Sequence, residues 1–84
     1  MKKKSSLADS YVSALSVALE RRRRELGLSQ DEVAERSGLH RTYISLIERK
    51  ATNFSIRIFL KLTEALEVDP AEIMRTAENL VDKK

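Results

Sequence analysis

Three residues punctuate this chain and decide what it can become. Gly27, Gly38 and Pro70 are its only glycines and its only proline. Each falls between segments whose apolar residues recur at three- and four-residue steps, the period of a helix. No segment sustains the two-residue alternation of a half-buried strand. The spacing therefore predicts an all-α chain of short helices divided at those points.

The first helix is expected over residues 10–26, with Val12, Leu15, Leu19, Arg23 and Leu26 on one stripe and Gly27 as its stop. Ser29 ahead of Gln30-Asp31-Glu32 is a capping-box arrangement. It opens a second helix over residues 30–37, with Val33 and Ala34 inward. Gly38 suits a left-handed turn, and a third helix follows over residues 41–49 with Ile44 and Ile47 inward. Residues 50–54 read as a loop. Ser55 can cap a fourth helix that carries Ile56, Phe59, Leu62 and Leu66 on one face. Asp69-Pro70, a cap followed by proline at the first helical position, opens a fifth, with Ile73, Ala77 and Leu80 on one stripe. Residues 1–9 are polar and basic and read as a mobile tail. Residues 10–80 then form one domain, and residues 81–84 a C-terminal tail.

At 84 residues the chain has room for one domain. A chain this short buries only about 60% of the surface that its unfolded form exposes, so self-association is the expected supplement where disulfides and metals are missing. The absence of Cys excludes disulfides and thiolate metal sites and fits a cytoplasmic, reducing setting. His40 is the only His, so no His-based metal cluster can form. With that inventory and no evident pair of carboxylates, neither an enzyme nor a cofactor is expected. The longest apolar runs are a few residues, too short for a transmembrane helix. No apolar stretch follows the basic N-terminus to make a signal peptide. Residues 1–53 carry eleven Lys and Arg against seven Asp and Glu, whereas residues 54–84 carry five against six. The first part can meet a polyanion, and the second is free for another interface.

The informative stretch is Gln30 to Ile47. Two short helices are joined by a tight turn at Gly38-Leu39, with Ala34 small where they cross. Val33, Leu39, Ile44 and Ile47 can lock them at a steep angle. This is the layout of a helix-turn-helix, whose second helix lies in the DNA major groove. The run SQDEVAERSGLHRTYISLIERK resembles the helix-turn-helix of the phage-repressor (Cro/cI-like, or XRE) family. Within it, GLHRTYISLIER is similar to the controller proteins of restriction–modification systems. The resemblance covers roughly Leu19 to Met74. It implies a five-helix, lambda-repressor-like domain, a two-fold dimer and a pseudo-palindromic operator. Three positions depart from the family pattern. Lys50-Ala51 stands where a glycine usually ends the third helix. Arg22 stands where many members have an apolar residue. Thr52 stands where controller-like sequences often have Arg.

On that layout Arg41, at the start of the recognition helix, is placed for a bidentate pair with guanine O6 and N7. Thr42 can touch a phosphate or a thymine methyl. His40 either sits by the backbone at the helix start or reads a base. Ser45 and Leu46 lie one turn on, and an outward Leu46 can meet a thymine methyl or simply be exposed. The Tyr43 phenol can reach a phosphate, or its ring can cover the Gly38 turn. The resemblance implies that Gln30 bonds a backbone phosphate at the positive end of its helix; the alternative is that it only closes the capping box. Lys50, Asn53 and Ser55 border the following loop as candidate phosphate donors, contacts that position a domain without reading sequence.

Arg21-Arg22-Arg23-Arg24 looks like a nucleic-acid patch, but consecutive helical residues point about 100° apart and cannot form one basic face. Arg23 falls inward, and the resemblance implies that it pairs with Glu48 as an architectural salt bridge. Lys2 to Lys4 can graze phosphates or remain solvated. Ile58 lies off the apolar stripe of the fourth helix at a position usually polar in the family. Together with Val68, Pro70, Ile73 and Ala77 it is the candidate dimer interface, unless the fifth helix covers it within one chain. The expected function is a homodimeric transcriptional regulator on double-stranded DNA, of the autoregulating controller type, which would block or recruit RNA polymerase. The alternative from another class is an antitoxin-like protein-interaction module.

Overall fold

The computed structural model describes residues 6–81, and among them there are five helices and no strand. They are α1 (Leu7–Glu25), α2 (Gln30–Ser37), α3 (Arg41–Glu48), α4 (Ile56–Ala65) and α5 (Pro70–Leu80).

Each start has a local chemical cause. The Ser6 hydroxyl accepts from the Asp9 N–H at 3.0 Å, so α1 begins three residues earlier than expected. Residues 7–9 of the anticipated tail are therefore helical, and residues 1–5, with Lys2 to Lys4, lie outside the described residues. Ser29 and Glu32 form a complete capping box, with the Glu32 N–H donating to Ser29 Oγ and the Ser29 N–H to Glu32 Oε1. Ser55 accepts from the Ile58 N–H, and Asp69 from the Ala71 N–H. Only α3 lacks a side-chain cap, because His40 holds that place.

Three helices end alike. After α1, α3 and α4 the chain turns through Gly27, Lys50 and Glu67 at φ of 71°, 61° and 55°. The next N–H in each case reaches back to the carbonyl of Arg23, Leu46 or Thr63. These are Schellman motifs, and two of them place a side chain in the left-handed region that glycine occupies without penalty. Lys50 fills the place where the family usually has glycine, and the turn keeps its shape.

The core joins α1 (Ala18, Leu19), α2 (Val33), α3 (Ile44, Ile47), α4 (Phe59, Leu62, Leu66) and α5 (Ile73). α5 packs along α1, where Ala14, Ala77 and Val81 form a second buried group. The small Ala14 on α1 and Ala77 on α5 let the two helices approach, a face that apolar periodicity alone did not mark. The expected stripes need correction at their ends. Ile56, in the first turn of α4, is 70% exposed, whereas Thr63 and Ala65 near its end are buried. Leu80 is exposed and Val81, anticipated in a tail, is buried instead. Residues 82–84 lie outside the described residues.

The four consecutive arginines take separate tasks. Arg22 donates through Nε to the Leu66 carbonyl and through Nη2 to that of Glu67, both at 3.0 Å. Arg36 of α2 donates to the Ala65 carbonyl at 3.2 Å. The last carbonyls of α4, which no helical N–H can satisfy, are thus held by two guanidinium groups. Arg23 turns inward, Arg24 pairs with Glu20 one turn back, and Arg21 is exposed.

Candidate nucleic-acid interface

The α2–α3 unit turns on Gly38, whose φ of 75° is left-handed. A Cβ there would meet nothing within 4 Å, so glycine is needed for its backbone conformation and not for space. Val33, Ile44 and Ile47 are buried on the inner side of the unit, with Ala34, Leu39 and Tyr43 packed at its edge. That leaves His40, Arg41 and Thr42 exposed at the start of α3. Ser45 and Leu46, a turn further along, are half-buried.

Beneath this surface lies a polar cluster. Arg23 donates to both Glu48 oxygens, from Nε at 2.7 Å and Nη2 at 3.0 Å, and from Nη1 to the Leu28 carbonyl at 2.8 Å. The hydrogen bonds that Arg23 donates to Glu48 raise its pKa above the usual value, so the guanidinium stays charged at any accessible pH. Glu48 Oε1 also accepts from Gln30 Nε2 at 2.9 Å. Gln30 does not close the capping box, which Glu32 does. It is fastened to α3 through one of its two amide N–H groups.

On the surface the Arg41 guanidinium lies beside Asp31, with Nε 3.1 Å from Oδ1. Tyr43 Oη is 3.4 Å from the Asn53 carbonyl, which also accepts from the Thr52 hydroxyl. The phenol thus faces the α3–α4 loop. Ser55 is engaged as the cap of α4. Lys50 stands apart: it lies at the far end of α3 and lines a groove with Asp9, Ser10, Ser13 and Val81. The structure does not bring it to the Arg41 end. Sequence reasoning missed Asp31 and the Gln30–Glu48 bond, because both contacts depend on how the two helices cross.

Two predicted interface residues need correction. Ile73 and Ala77 are buried within the single chain, against the core and against α1. Ile58 and Val68 are half-buried on the same core. The apolar side chains that α4 does expose are Ile56 and Leu60.

A family model described as helix-turn-helix matches residues 19–73. The chain belongs to the helix-turn-helix family of phage-repressor type. Membership makes this helix-turn-helix chain a DNA-binding regulator. It is 41% identical over 59 residues to the control protein C.BamHI of Bacillus amyloliquefaciens, covering 68% of this chain and 73% of that one. It is 43% identical over 47 residues to the control protein C.SmaI of Serratia marcescens, covering 56% of each. Its fold matches the crystal structure of the restriction-modification controller protein C.Esp1396I at a TM-score of 0.79 and 32% identity, over 90% of this chain and 94% of that one. No helix among the described residues is long and apolar enough to cross a membrane, and no group of residues there could hold a metal ion.

Proposed function

We propose that this helix-turn-helix protein is a homodimeric, controller-type transcriptional regulator that places α3 of each subunit in the major groove of a pseudo-palindromic operator. The observation that carries the reading is the exposed start of α3: Arg41 and Thr42 project from a helix whose opposite face is anchored by Ile44 and Ile47. Arg41 reads a guanine edge, with Thr42, Ser45, Leu46 and His40 near neighbouring bases. Gln30 donates to a phosphate at the start of α2, and Tyr43, Asn53 and Ser55 serve the backbone from the loop side. C.Esp1396I, a structural relative, was crystallised as a tetramer with its natural 35 base-pair operator. Consecutive Arg, Thr and Tyr positions of that protein were replaced one at a time for crystal structures. Arg41, Thr42 and Tyr43 stand in the same order here.

The second copy fits α4. Ile56 and Leu60 lie one turn apart and exposed, with Pro70 and Val68 half-buried beyond them. Arg57 and Lys61 flank the early part of this face and Glu64 the later part. A two-fold axis that sets two α4 helices antiparallel brings the basic part of one against the acidic part of the other.

Selection of bound duplexes from random DNA, followed by the mass of the complex, tests the reading. The expected product is an inverted repeat with half-site centres about 34 Å apart, one turn of DNA, bound by an even number of subunits. Recovery of no consensus, or a single half-site bound by one subunit, overturns it.

A further inference from the structure

The surface proposed to meet DNA carries a carboxylate that a polyanion should repel. Asp31 is the second residue of α2, 77% exposed at its side chain, and its neighbour Gln30 is the proposed phosphate contact. Its oxygen lies 3.1 Å from Nε of Arg41, whose side chain is itself 60% exposed. The side from which it approaches matters. A guanidinium has five N–H donors in a planar fork. A carboxylate paired on the Nε side leaves the terminal N–H groups open, and a terminal pair is what guanine O6 and N7 accept.

We propose that Asp31 is a specificity-determining residue that positions Arg41 for guanine. Its charge draws the guanidinium over from the Nε side, so the terminal N–H groups meet the base edge already oriented and less rotational freedom is lost on binding. It also neutralises Arg41 locally. A guanidinium so paired gains less from sliding onto the nearest phosphate, a contact that would hold any sequence equally well. Asp31 therefore weakens binding to duplexes that offer no guanine and spares binding to those that do. The inference rests on Arg41 reading a base, as proposed above.

The test uses the full chain and duplexes recovered by selection. These are compared with the same duplexes carrying 7-deazaguanine at the Arg41 position, and with an oligo(dA)·oligo(dT) duplex that has no guanine. Asp31→Ala and Asp31→Asn, with Arg41→Ala and the double variants, complete a cycle. An exposed ion pair contributes little, so the expected loss of selected-over-guanine-free preference is about two- to fivefold on replacing Asp31. The penalty for 7-deazaguanine should shrink with it, binding to the guanine-free duplex should hold or tighten, and nothing further should be lost in the Arg41→Ala background. An unchanged preference overturns the inference. So does an equal loss on all duplexes, which is the mark of a merely structural role. A tighter hold on the selected duplex also overturns it, because Asp31 would then be a competitor for Arg41. If Arg41→Ala itself leaves sequence preference intact, the underlying reading of Arg41 fails. If Arg41→Ala relaxes preference and Asp31→Ala does not, only the present inference fails.

Discussion

Arg23 and Glu48, 25 residues apart in sequence, meet through two hydrogen bonds of 2.7 and 3.0 Å with both side chains about nine-tenths buried. The pair fastens the end of α3 to α1, and Gln30 ties α2 to the same carboxylate. Removing one partner leaves the other charged and out of water. Glu48→Ala is expected to destabilise the fold by about 3 kcal/mol in urea unfolding. A loss below about 1 kcal/mol would mean that water reaches the pair.

Gln30 gives a prediction about binding. Under the proposed function Gln30→Ala weakens every duplex by a similar factor, because a phosphate contact is blind to sequence. The slope of log K against log salt should stay nearly unchanged, because a neutral amide releases no counterion from the duplex. A loss restricted to certain sequences would show that Gln30 touches a base.

Ser16 of α1 is fully buried, and its hydroxyl has no hydrogen-bond partner among the described residues. A buried hydroxyl without a partner costs about 1–3 kcal/mol. Ser16→Ala should therefore raise stability by about 1 kcal/mol, seen as a higher urea midpoint at unchanged slope. A lower midpoint would show that the hydroxyl is bonded in solution.

Lys50 ends α3 at a left-handed φ of 61°. Glycine meets that conformation without the crowding of a Cβ, so Lys50→Gly should stabilise by about 0.5–1 kcal/mol despite its larger unfolded-state entropy. Gly27→Ala, at a φ of 71°, should lose about 1 kcal/mol by the same reasoning. Thermal unfolding of the two variants checks both signs.

Leu60 and Ile73 separate the two accounts of the dimer. Leu60 is exposed on α4, so Leu60→Glu should fold, retain its helical circular dichroism and sediment as a monomer. Ile73 is 4% exposed within one chain, so Ile73→Asp should unfold the chain itself. A folded, dimeric Leu60→Glu would move the interface away from α4.

Much of this architecture is written in short-range signals. Ser29 with Glu32, Gly38, Ser55 and Asp69-Pro70 act through bonds that span two to four residues, and their positions are legible in sequence for that reason. The inward places of Val33, Ile44 and Ile47 follow from the helical period. Other features depend on choices made elsewhere in the chain. Ile56 follows the period of α4 yet is exposed, while Ile58 and Phe59 beside it pack on the core. Thr63 is polar yet buried, its hydroxyl bonded to the Leu60 carbonyl one turn back. Ser6 starts α1 within a run that reads as polar tail. The Asp31–Arg41 and Gln30–Glu48 contacts exist only once α2 and α3 have crossed. They are also the contacts that bear most on how the proposed site would work.

The short length of α2 has a mechanical corollary. Its first turn holds Gln30 and Asp31, and its last turn holds Arg36, which grips the end of α4. Eight residues of helix measure about 12 Å, a strut with no interior hinge. When one end tilts, the other must follow, so under the proposed function strain at a seam between two subunits would be felt at the DNA backbone. Half-site spacing and subunit pairing would then be tuned by one rigid part and could not drift independently.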